Sequence, residues 1–392
     1  MAGQGTGCSV TDSRAVPDVP RPAGRSGRAI VIAAGGTGGH IYPGLALADA
    51  IRAQAPDADV HFVGTSIGME SDLVPKAGWP LHLYTGAQFN NKGWRKALAP
   101  AAVGRGSLEA RSLLKRLGAD VAVSMGGYAG IPLIAGARLA GVPAIVHEPG
   151  AVPGQANRLA ARFTPHVATS FPQTAFPGRE ARLVGYPLRG EFTSFDRDRL
   201  RAEGRSAYGV DDRTALLLVT GGSLGALSLN RLTLALAERW ASRDDVKIVL
   251  KAGSRTHDEI AAALETNPGR HLVDLVRYID RMDHAYAAAD MAIVRSGAGT
   301  VSELAAVGLP SILVPLPGHE HDEQAHNAQP LVDAGGAVMV RDWDAKAEVV
   351  GPILEERLWD PALLEAMRKG ARVAGRPNAA ADLAAWALEL AG

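Results

Sequence analysis

Two doubly wound α/β domains of similar size, each on a parallel sheet and facing the other across a cleft, are what this sequence predicts. Three observations carry that expectation. Short β-branched runs alternate with longer alanine- and leucine-rich stretches, as in "RAIVIAA" before "PGLALADAIRAQ" and "ADVAVSM" before "IPLIAGARLAG". The alternation pauses in the polar stretch "LVGYPLRGEFTSFDRDRLRAEGRSAYGVDDR" and restarts at "TALLLVTGG". Glycine-rich turns stand at the ends of several strand-like runs.

In the first half the strand-like runs are "RAIVIAA", "DVHFVG", "ADVAVSM", "PAIVHE" and "HVATSF". They are continuously apolar rather than alternating, which marks strands covered on both faces and therefore a parallel sheet with helical crossovers. The second half repeats the scheme. "TALLLVTGG" precedes "LSLNRLTLALAERW", "VKIVLKAG" precedes "HDEIAAALE", "HLVDLVRYI" precedes "MDHAYAAA", "MAIVRSG" precedes "TVSELAAVG", and "PSILVPLP" leads to a helical tail. The boundary falls near residue 189, giving domains over 28–189 and 190–374 and a last helix over 375–392 that returns to the first domain. Open α/β sheets bind ligands beyond the carboxyl ends of their strands.

The chain has 392 residues, 47% of them hydrophobic, and its 41 basic and 41 acidic side chains cancel. No bulk field draws it to nucleic acid, so attraction to an anionic surface needs a local patch. The single cysteine, Cys8, excludes intramolecular disulfides and cysteine-based zinc sites and suits a reducing compartment. No apolar run approaches the roughly 20 residues of a membrane span. Residues 1–27, rich in Gly, Pro, Ser and Arg and without an apolar signal region, read as a disordered extension on a cytoplasmic protein.

Gly35, Gly36, Gly38 and Gly39 lie between a strand and a helix, where bare backbone presents N–H groups to a phosphate or diphosphate. No Lys-Ser/Thr pair follows, and Ile41 stands where a dinucleotide loop needs glycine. A tight turn without ligand is the plain alternative for one such loop. "SMGGYAG" at 124–130 and "TGGSLGA" at 220–226 repeat the feature, which favours ligand binding. In "ADMAIVRSGAGTVSELAAVG" a helix is expected from about Thr300. Glu303 either closes a capping box with Thr300 or, in the first turn, accepts the ribose hydroxyls of a nucleotide. Arg295 neutralises phosphate or forms a surface salt bridge.

In this order and spacing, "GGTGGH", "MGGY", "VGYPLR", "TGGSLGALSLN", "YIDRM", "RSGAGTVSE", "GLPSILVP" and "EQAHNA" resemble the MurG family, the UDP-N-acetylglucosamine transferases of peptidoglycan synthesis (glycosyltransferase family 28). The resemblance spans residues 28–390. It implies a GT-B fold, with UDP-N-acetylglucosamine on the second domain and undecaprenyl-diphospho-N-acetylmuramoyl-pentapeptide on the first, and no cofactor. It implies donor contacts from Thr37, Gly38, Gly39, Arg189 and Ser223, and from Ala298, Gly299 and Thr300 at the diphosphate. Ile279 would meet uracil, Glu303 the ribose, and Gln324 the sugar, with Asn327 nearby. The acceptor diphosphate would face Gly36, His40, Gly126, Gly127 and Tyr128. The family's "HEQN" reads "HEPG" here, so Gly150 stands in place of an asparagine expected at the sugar. That departure leaves room for a paralogue acting on another lipid or a natural product; a further alternative is a sugar-nucleotide-binding protein without turnover.

Inverting transfer needs a base for the attacking hydroxyl and charge stabilisation for departing UDP, which N–H groups, a helix N-terminus and an arginine supply without metal. His40, with an ordinary pKa near ~6.5, is the first base candidate or else a clamp on the acceptor diphosphate. Glu148 is the second, its alternative being a salt bridge or a capped loop. Asp196 and Asp198 form a "DxD" string in the polar linker, where a solvated helix start is favoured over a metal site. His319, His321 and His326 resemble a metal cluster by composition, but their loop is expected to meet sugar.

A polyprenyl acceptor implies peripheral contact with the anionic cytoplasmic face of the membrane. Residues 90–118 carry Lys92, Arg95, Lys96, Arg105, Arg111, Lys115 and Arg116 around Trp94 and Leu98. Trp94, Arg95, Lys96 and Leu98 are the expected membrane contacts, while Ala110, Leu113, Leu114 and Leu117 at helical spacing face a core.

Overall fold

The computed structural model describes residues 27–65, 68–84, 99–222, 225–318 and 320–392. The extension expected over 1–27 therefore lies outside the described residues except for Gly27.

The first sheet contains β1 (Ala29–Ala33), β2 (Asp59–Gly64), β3 (Leu81–Leu83), β4 (Val121–Ser124), β5 (Ala144–Glu148), β6 (His166–Thr169) and β7 (Ala181–Leu183). All neighbours pair in parallel, in the order β3-β2-β1-β4-β5-β6-β7. Its connections include α1 (Gly38–Gln54), α2 (Glu70–Lys76), α3 (Ala99–Leu117), α4 (Gly130–Ala140) and α5 (Gln155–Ala160). The polar linker is more ordered than its composition suggests, because it folds as α6 (Gly190–Thr193) and α7 (Arg197–Ala207). Asp196 caps α7 by accepting from the Arg199 N–H at 3.1 Å, the solvated helix start that its position suggested.

The second sheet contains β8 (Ala215–Thr220), β9 (Val246–Lys251), β10 (Val273–Val276), β11 (Met291–Val294), β12 (Ser311–Leu313) and β13 (Ala337–Met339). It is also parallel, in the order β10-β9-β8-β11-β12-β13. The helices are α8 (Leu227–Arg239), α9 (His257–Glu265), α10 (Met282–Ala288), α11 (Ala298–Val307), α12 (Glu323–Asp333), α13 (Ala347–Arg357), α14 (Pro361–Ala374) and α15 (Ala379–Leu390).

The apolar runs are buried as parallel strands require: every residue of β1, β4, β8 and β11 is buried. Each sheet has an apolar cluster on either face. The last helix belongs to the first domain's core. Ala379, Leu383, Ala384, Ala387 and Leu388 of α15 pack with Ile30, Ile41 and Leu47, and each buried leucine contributes roughly 1.5–3 kcal/mol of transfer free energy. Leu113, Leu114 and Leu117 of α3 are likewise core residues under the first sheet.

In both sheets the strand order reverses direction between two neighbours, β1 and β4 in the first and β8 and β11 in the second. Such a switch point leaves a crevice at the carboxyl ends of the strands. Every glycine turn singled out from the sequence lies beside one of these two crevices.

Candidate functional site

The turn after β1 is shaped by a residue that no sequence motif singles out. Glu70, at the start of α2, is completely buried. Its carboxylate accepts from the Gly36 N–H at 3.0 Å and from the Thr65 N–H and hydroxyl at 3.0 and 2.9 Å. Burial opposes its ionisation, but these hydrogen bonds outweigh burial and hold the carboxyl below its ordinary range. A Cβ on Gly35, Gly64 or Gly68 would strike this carboxylate. Part of the bare backbone in the opening loop thus makes room for an internal anion. Gly36, Thr37 and Gly39 remain exposed. Helix α1 begins at Gly38 rather than near Pro43, so Gly38, Gly39 and His40 form its first turn.

His40 stands between the two glycine loops of the first domain. Gly126 and Gly127 have φ of +101° and +76°, a region that side chains rarely adopt, and a Cβ on Gly126 would come within 2.9 Å of the imidazole. The ring also lies 3.4 Å from the Thr37 hydroxyl. Burial lowers its pKa; a hydrogen bond to the Gly35 backbone and the charge of Glu70 oppose the shift without cancelling it. A lowered pKa favours the uncharged imidazole, the form that a base or a neutral hydrogen-bonding group requires. Tyr128, next to this loop, is 44% exposed.

On the second sheet, β11 runs through Arg295 and Ser296 into α11. The helix starts at Ala298 with Gly297 as its N-cap, which corrects the expected start at Thr300 and removes the capping box. Glu303 consequently sits in the second turn, where its carboxylate accepts the Tyr286 hydroxyl at 2.9 Å. Burial pushes its pKa up to about 7; the Tyr286 bond and Arg189 lower it in part, and Glu191 adds to the rise. At Gly297, φ is −64° and no protein atom would meet a Cβ. Neither conformation nor packing calls for glycine there, whereas an approaching ligand would. The amides of Ala298, Gly299 and Thr300 are at this helix N-terminus, a favourable place for an anion.

Arg189 reaches the same region. It pairs with Glu191 at 2.8 Å and lies over the rings of Tyr42 and Phe192, each at 5.3 Å. Ile279 is half-buried against the cluster that contains Tyr286 and Val294. Gln324 accepts from the Leu316 N–H at 3.0 Å, which fixes its amide beside the turn after β12. Tyr186 joins the two halves: its hydroxyl donates to the Gly39 carbonyl at 2.9 Å and would lie 3.1 Å from a Cβ on Gly299. The motif "VGYPLR" contains this tyrosine, but nothing in the pattern distinguishes it from a core aromatic.

Two expected site residues are committed elsewhere. Arg295 donates to the carbonyls of Val314 and Pro315 and to the Ser228 hydroxyl, and it pairs with Asp342 at 2.6 Å. With only 11% of its side chain exposed, it braces the turn after β12 from inside rather than forming a surface ion pair. Glu148 is 4% exposed and accepts from the Gly150 and Gly154 N–H groups and from the Asn157 amide, at 2.9, 3.0 and 2.9 Å. Burial raises its pKa to about 7, but those donors occupy the carboxylate. It caps the loop, the alternative that its position offered. Asn327 clasps the two domains: it accepts from the Ala151 N–H at 2.8 Å and donates to the Ser296 carbonyl at 3.2 Å. The Cβ absent from Gly150 would lie 2.7 Å from a Glu323 oxygen, so the second domain's carboxylate stands where the asparagine was expected.

Ser223, His319 and the membrane candidates Trp94, Arg95, Lys96 and Leu98 lie outside the described residues. Among the described residues, no group of three or more His, Cys, Asp or Glu is arranged to hold a metal ion.

The comparisons with known proteins agree with the two-domain fold. The description "Glycosyltransferase family 28 N-terminal domain" matches residues 30–169, and "Glycosyltransferase family 28 C-terminal domain" matches 216–383. A protein of Mycolicibacterium paratuberculosis named "UDP-N-acetylglucosamine–N-acetylmuramyl-(pentapeptide) pyrophosphoryl-undecaprenol N-acetylglucosamine transferase" is 40% identical over 387 residues, covering 95% of this chain and 93% of the relative. The chain belongs to glycosyltransferase family 28. A family 28 relative of the same name from Mycolicibacterium smegmatis is 41% identical over 371 residues, 93% of this chain and 94% of its own. The crystal structure of Acinetobacter baumannii MurG superimposes with a TM-score of 0.75 at 28% identity, covering 92% of this chain and 99% of that one. The glycosyltransferase of kitacinnamycin, at 18% identity and a TM-score of 0.67 over 91% and 98% of the two chains, shares the fold. The architecture is the GT-B fold of two facing Rossmann-like domains.

Proposed function

We propose that this family 28 chain transfers N-acetylglucosamine, with inversion, from UDP-N-acetylglucosamine to the C4 hydroxyl of undecaprenyl-diphospho-N-acetylmuramoyl-pentapeptide, the glycolipid step of peptidoglycan synthesis. The observation that carries this reading is the pairing of two glycine-lined switch points, one beside His40 and the other beside Gly297 and Glu303. Residues 28–189 take the acceptor, 190–374 take the donor, and 375–392 tie the end of the chain to the acceptor domain.

In this mechanism the amides of Ala298, Gly299 and Thr300, with Ser223, receive the donor diphosphate. Glu303 accepts the ribose hydroxyls, Ile279 borders the uracil, and Gln324 meets the sugar. The acceptor diphosphate lies along Gly36, Gly126, Gly127 and Tyr128. His40 takes the proton from the attacking C4 hydroxyl as the new glycosidic bond forms on the opposite face from departing UDP. The leaving charge is met by the α11 N-terminus and Arg189, so the step needs no metal ion. Thr37, Gly38 and Gly39 complete the donor side of the cleft.

Peripheral attachment to the cytoplasmic membrane face is part of the proposal. No helix among the described residues is long and apolar enough to cross a membrane. The outer side of α3 exposes Arg105, Lys115 and Arg116 together with Leu108, which is 60% exposed. That combination supports contact with anionic lipid next to Trp94, Arg95, Lys96 and Leu98.

Glu323 beside Gly150 favours a second reading, a paralogue with another sugar donor. Product analysis with UDP-N-acetylglucosamine and a short-chain lipid-linked muramoyl-pentapeptide separates the two. Release of UDP with the β-linked disaccharide is the expected result; turnover only with a different donor or acceptor would replace the first reading with the second.

A further inference from the structure

Far from the cleft, the second domain gathers four arginines on one carboxylate. Asp290 immediately precedes β11, so it lies at the amino end of the sheet whose carboxyl end carries the donor loop, roughly 20 Å away by the rise per residue. Arg201 of α7 donates to Asp290 at 2.8 Å and to the carbonyls of Ala287 and Ala288. Arg205 donates to Asp290 at 3.3 Å and to the carbonyls of Ala288, Asp211 and Thr214. The Leu216 N–H adds a bond at 2.9 Å. These contacts take three of the roughly four acceptor positions of Asp290 and most of the donors of Arg201 and Arg205.

Arg197 and Arg368 are held differently. Arg197 reaches Asp290 only at 3.5 Å, and Arg368 only at 3.9 Å, with Glu365 at 3.7 Å. Their side chains are just 17% and 12% exposed. Neither Nε has a hydrogen-bond partner in the protein, whereas that of Arg205, whose side chain is 3% exposed, lies 3.6 Å from Asp212. The remaining acids are peripheral: Glu365 is 46% and Asp212 94% exposed, and Asp198 lies in the first turn of α7. Arg372 adds another positive charge near Arg368. Burial and the neighbouring Arg201 and Arg368 lower the Arg197 pKa to about 10. Crowding several guanidinium groups away from water is costly unless an anion compensates them, and their planar donors match tetrahedral oxyanions in particular.

We propose that Arg197 and Arg368, backed by Arg201, form a binding site for a phosphate-class dianion on the side of the donor domain opposite the catalytic cleft. The narrow exposure of both side chains favours a small free ion over a group embedded in a surface.

The test uses the full-length protein saturated with UDP, which occupies the donor cleft. Arginines are modified with phenylglyoxal at constant ionic strength in phosphate or in chloride, and labelling is read at each residue by peptide mass spectrometry. Phosphate at about twice its dissociation constant slows labelling of Arg197 and Arg368 about threefold relative to chloride. Equal labelling in the two salts would overturn the site. In parallel, phosphate raises the melting temperature of the UDP complex more than chloride does. The Arg197→Gln/Arg368→Gln double variant loses this difference while its UDP-N-acetylglucosamine affinity stays unchanged; a phosphate shift retained in full by the folded variant also refutes the proposal. If the variant does not fold, the labelling comparison on the natural sequence decides. Vesicles with and without phosphatidic acid identify the source of the phosphate: sedimentation that depends on Arg197 assigns it to a lipid headgroup, and protection by phosphate without such sedimentation assigns it to a free ion.

Discussion

Glu303→Gln separates a ligand-binding carboxylate from a structural one, because the two roles predict opposite changes. Burial raises the Glu303 pKa from 4.5 to about 7, a difference on the order of 3 kcal/mol between the protonation states. For a carboxyl raised in this way, the stabilisation is complete below the unfolded value and is lost as pH rises through about 7. Glu303 keeps part of its surface open to the cleft, so solvent reduces the cost at pH 8 to roughly 1–2 kcal/mol. Glutamine carries no charge and its oxygen still accepts the Tyr286 hydroxyl, so the variant melts at the same or a higher temperature at pH 8. Donor affinity moves the other way. A hydrogen bond to a charged acceptor contributes about 1.5–3 kcal/mol against about 0.5–1.5 for a neutral one, so two ribose contacts predict a fall of roughly ten- to a hundredfold. Calorimetric titration with UDP-N-acetylglucosamine, whose diphosphate does not titrate near neutrality, and thermal melting supply the two readouts. The natural protein should also bind this donor more tightly as pH rises through about 7, and the variant should lose that dependence. Unchanged donor affinity together with a lower melting temperature would refute the reasoning and make Glu303 a structural partner of Tyr286.

The other residues give sharper single readouts. His40→Ala should lower kcat by roughly a hundredfold or more, the usual scale of a lost general base, with donor affinity nearly intact. Because the imidazole pKa is lowered, the acid limb of the natural enzyme's pH–rate profile should fall below pH ~6.5; a limb above that value contradicts a neutral buried base. Glu70→Gln leaves the Gly36 and Thr65 donors with a weaker acceptor. It should cost about 1–3 kcal/mol in chemical denaturation and raise KM for the lipid acceptor, and a change in stability alone would deny Glu70 a part in shaping the acceptor loop. Tyr186→Phe removes only the hydroxyl that meets the Gly39 carbonyl; kcat should drop while the melting temperature changes little, and unaltered turnover would show that this contact does not set the geometry of the cleft.

The fold was legible because parallel strands demand uninterrupted apolar runs, and "AIVIA", "VAVS" and "ALLLVT" have them. Both crevices were legible for a related reason: glycines cluster where β1, β4, β8 and β11 end. What the sequence hid was the destination of polar side chains. Glu70 belongs to a stretch that looks like the charged start of a surface helix, and only the return of α2 beneath the β1 loop buries its carboxylate against Gly35 and Gly36. Arg295 stands next to the expected phosphate site, yet Asp342, 47 positions later in the chain, captures it. Asn327 was similarly drawn into an interdomain contact by partners far off in sequence, whereas Glu148 caps its own loop through near neighbours, the alternative already open to it. The linker read as polar and open because its arginines meet their common acid, Asp290, only after the chain has crossed the sheet.

A crystal structure of the protein with UDP-N-acetylglucosamine bears most directly on the proposed chemistry. The account predicts the nucleotide between the two domains, its diphosphate hydrogen-bonded to the amides of Ala298 to Thr300, its ribose on Glu303, and its sugar turned toward His40. A nucleotide bound outside that cleft, or one whose ribose avoids Glu303 while its phosphates meet Arg295, would contradict it.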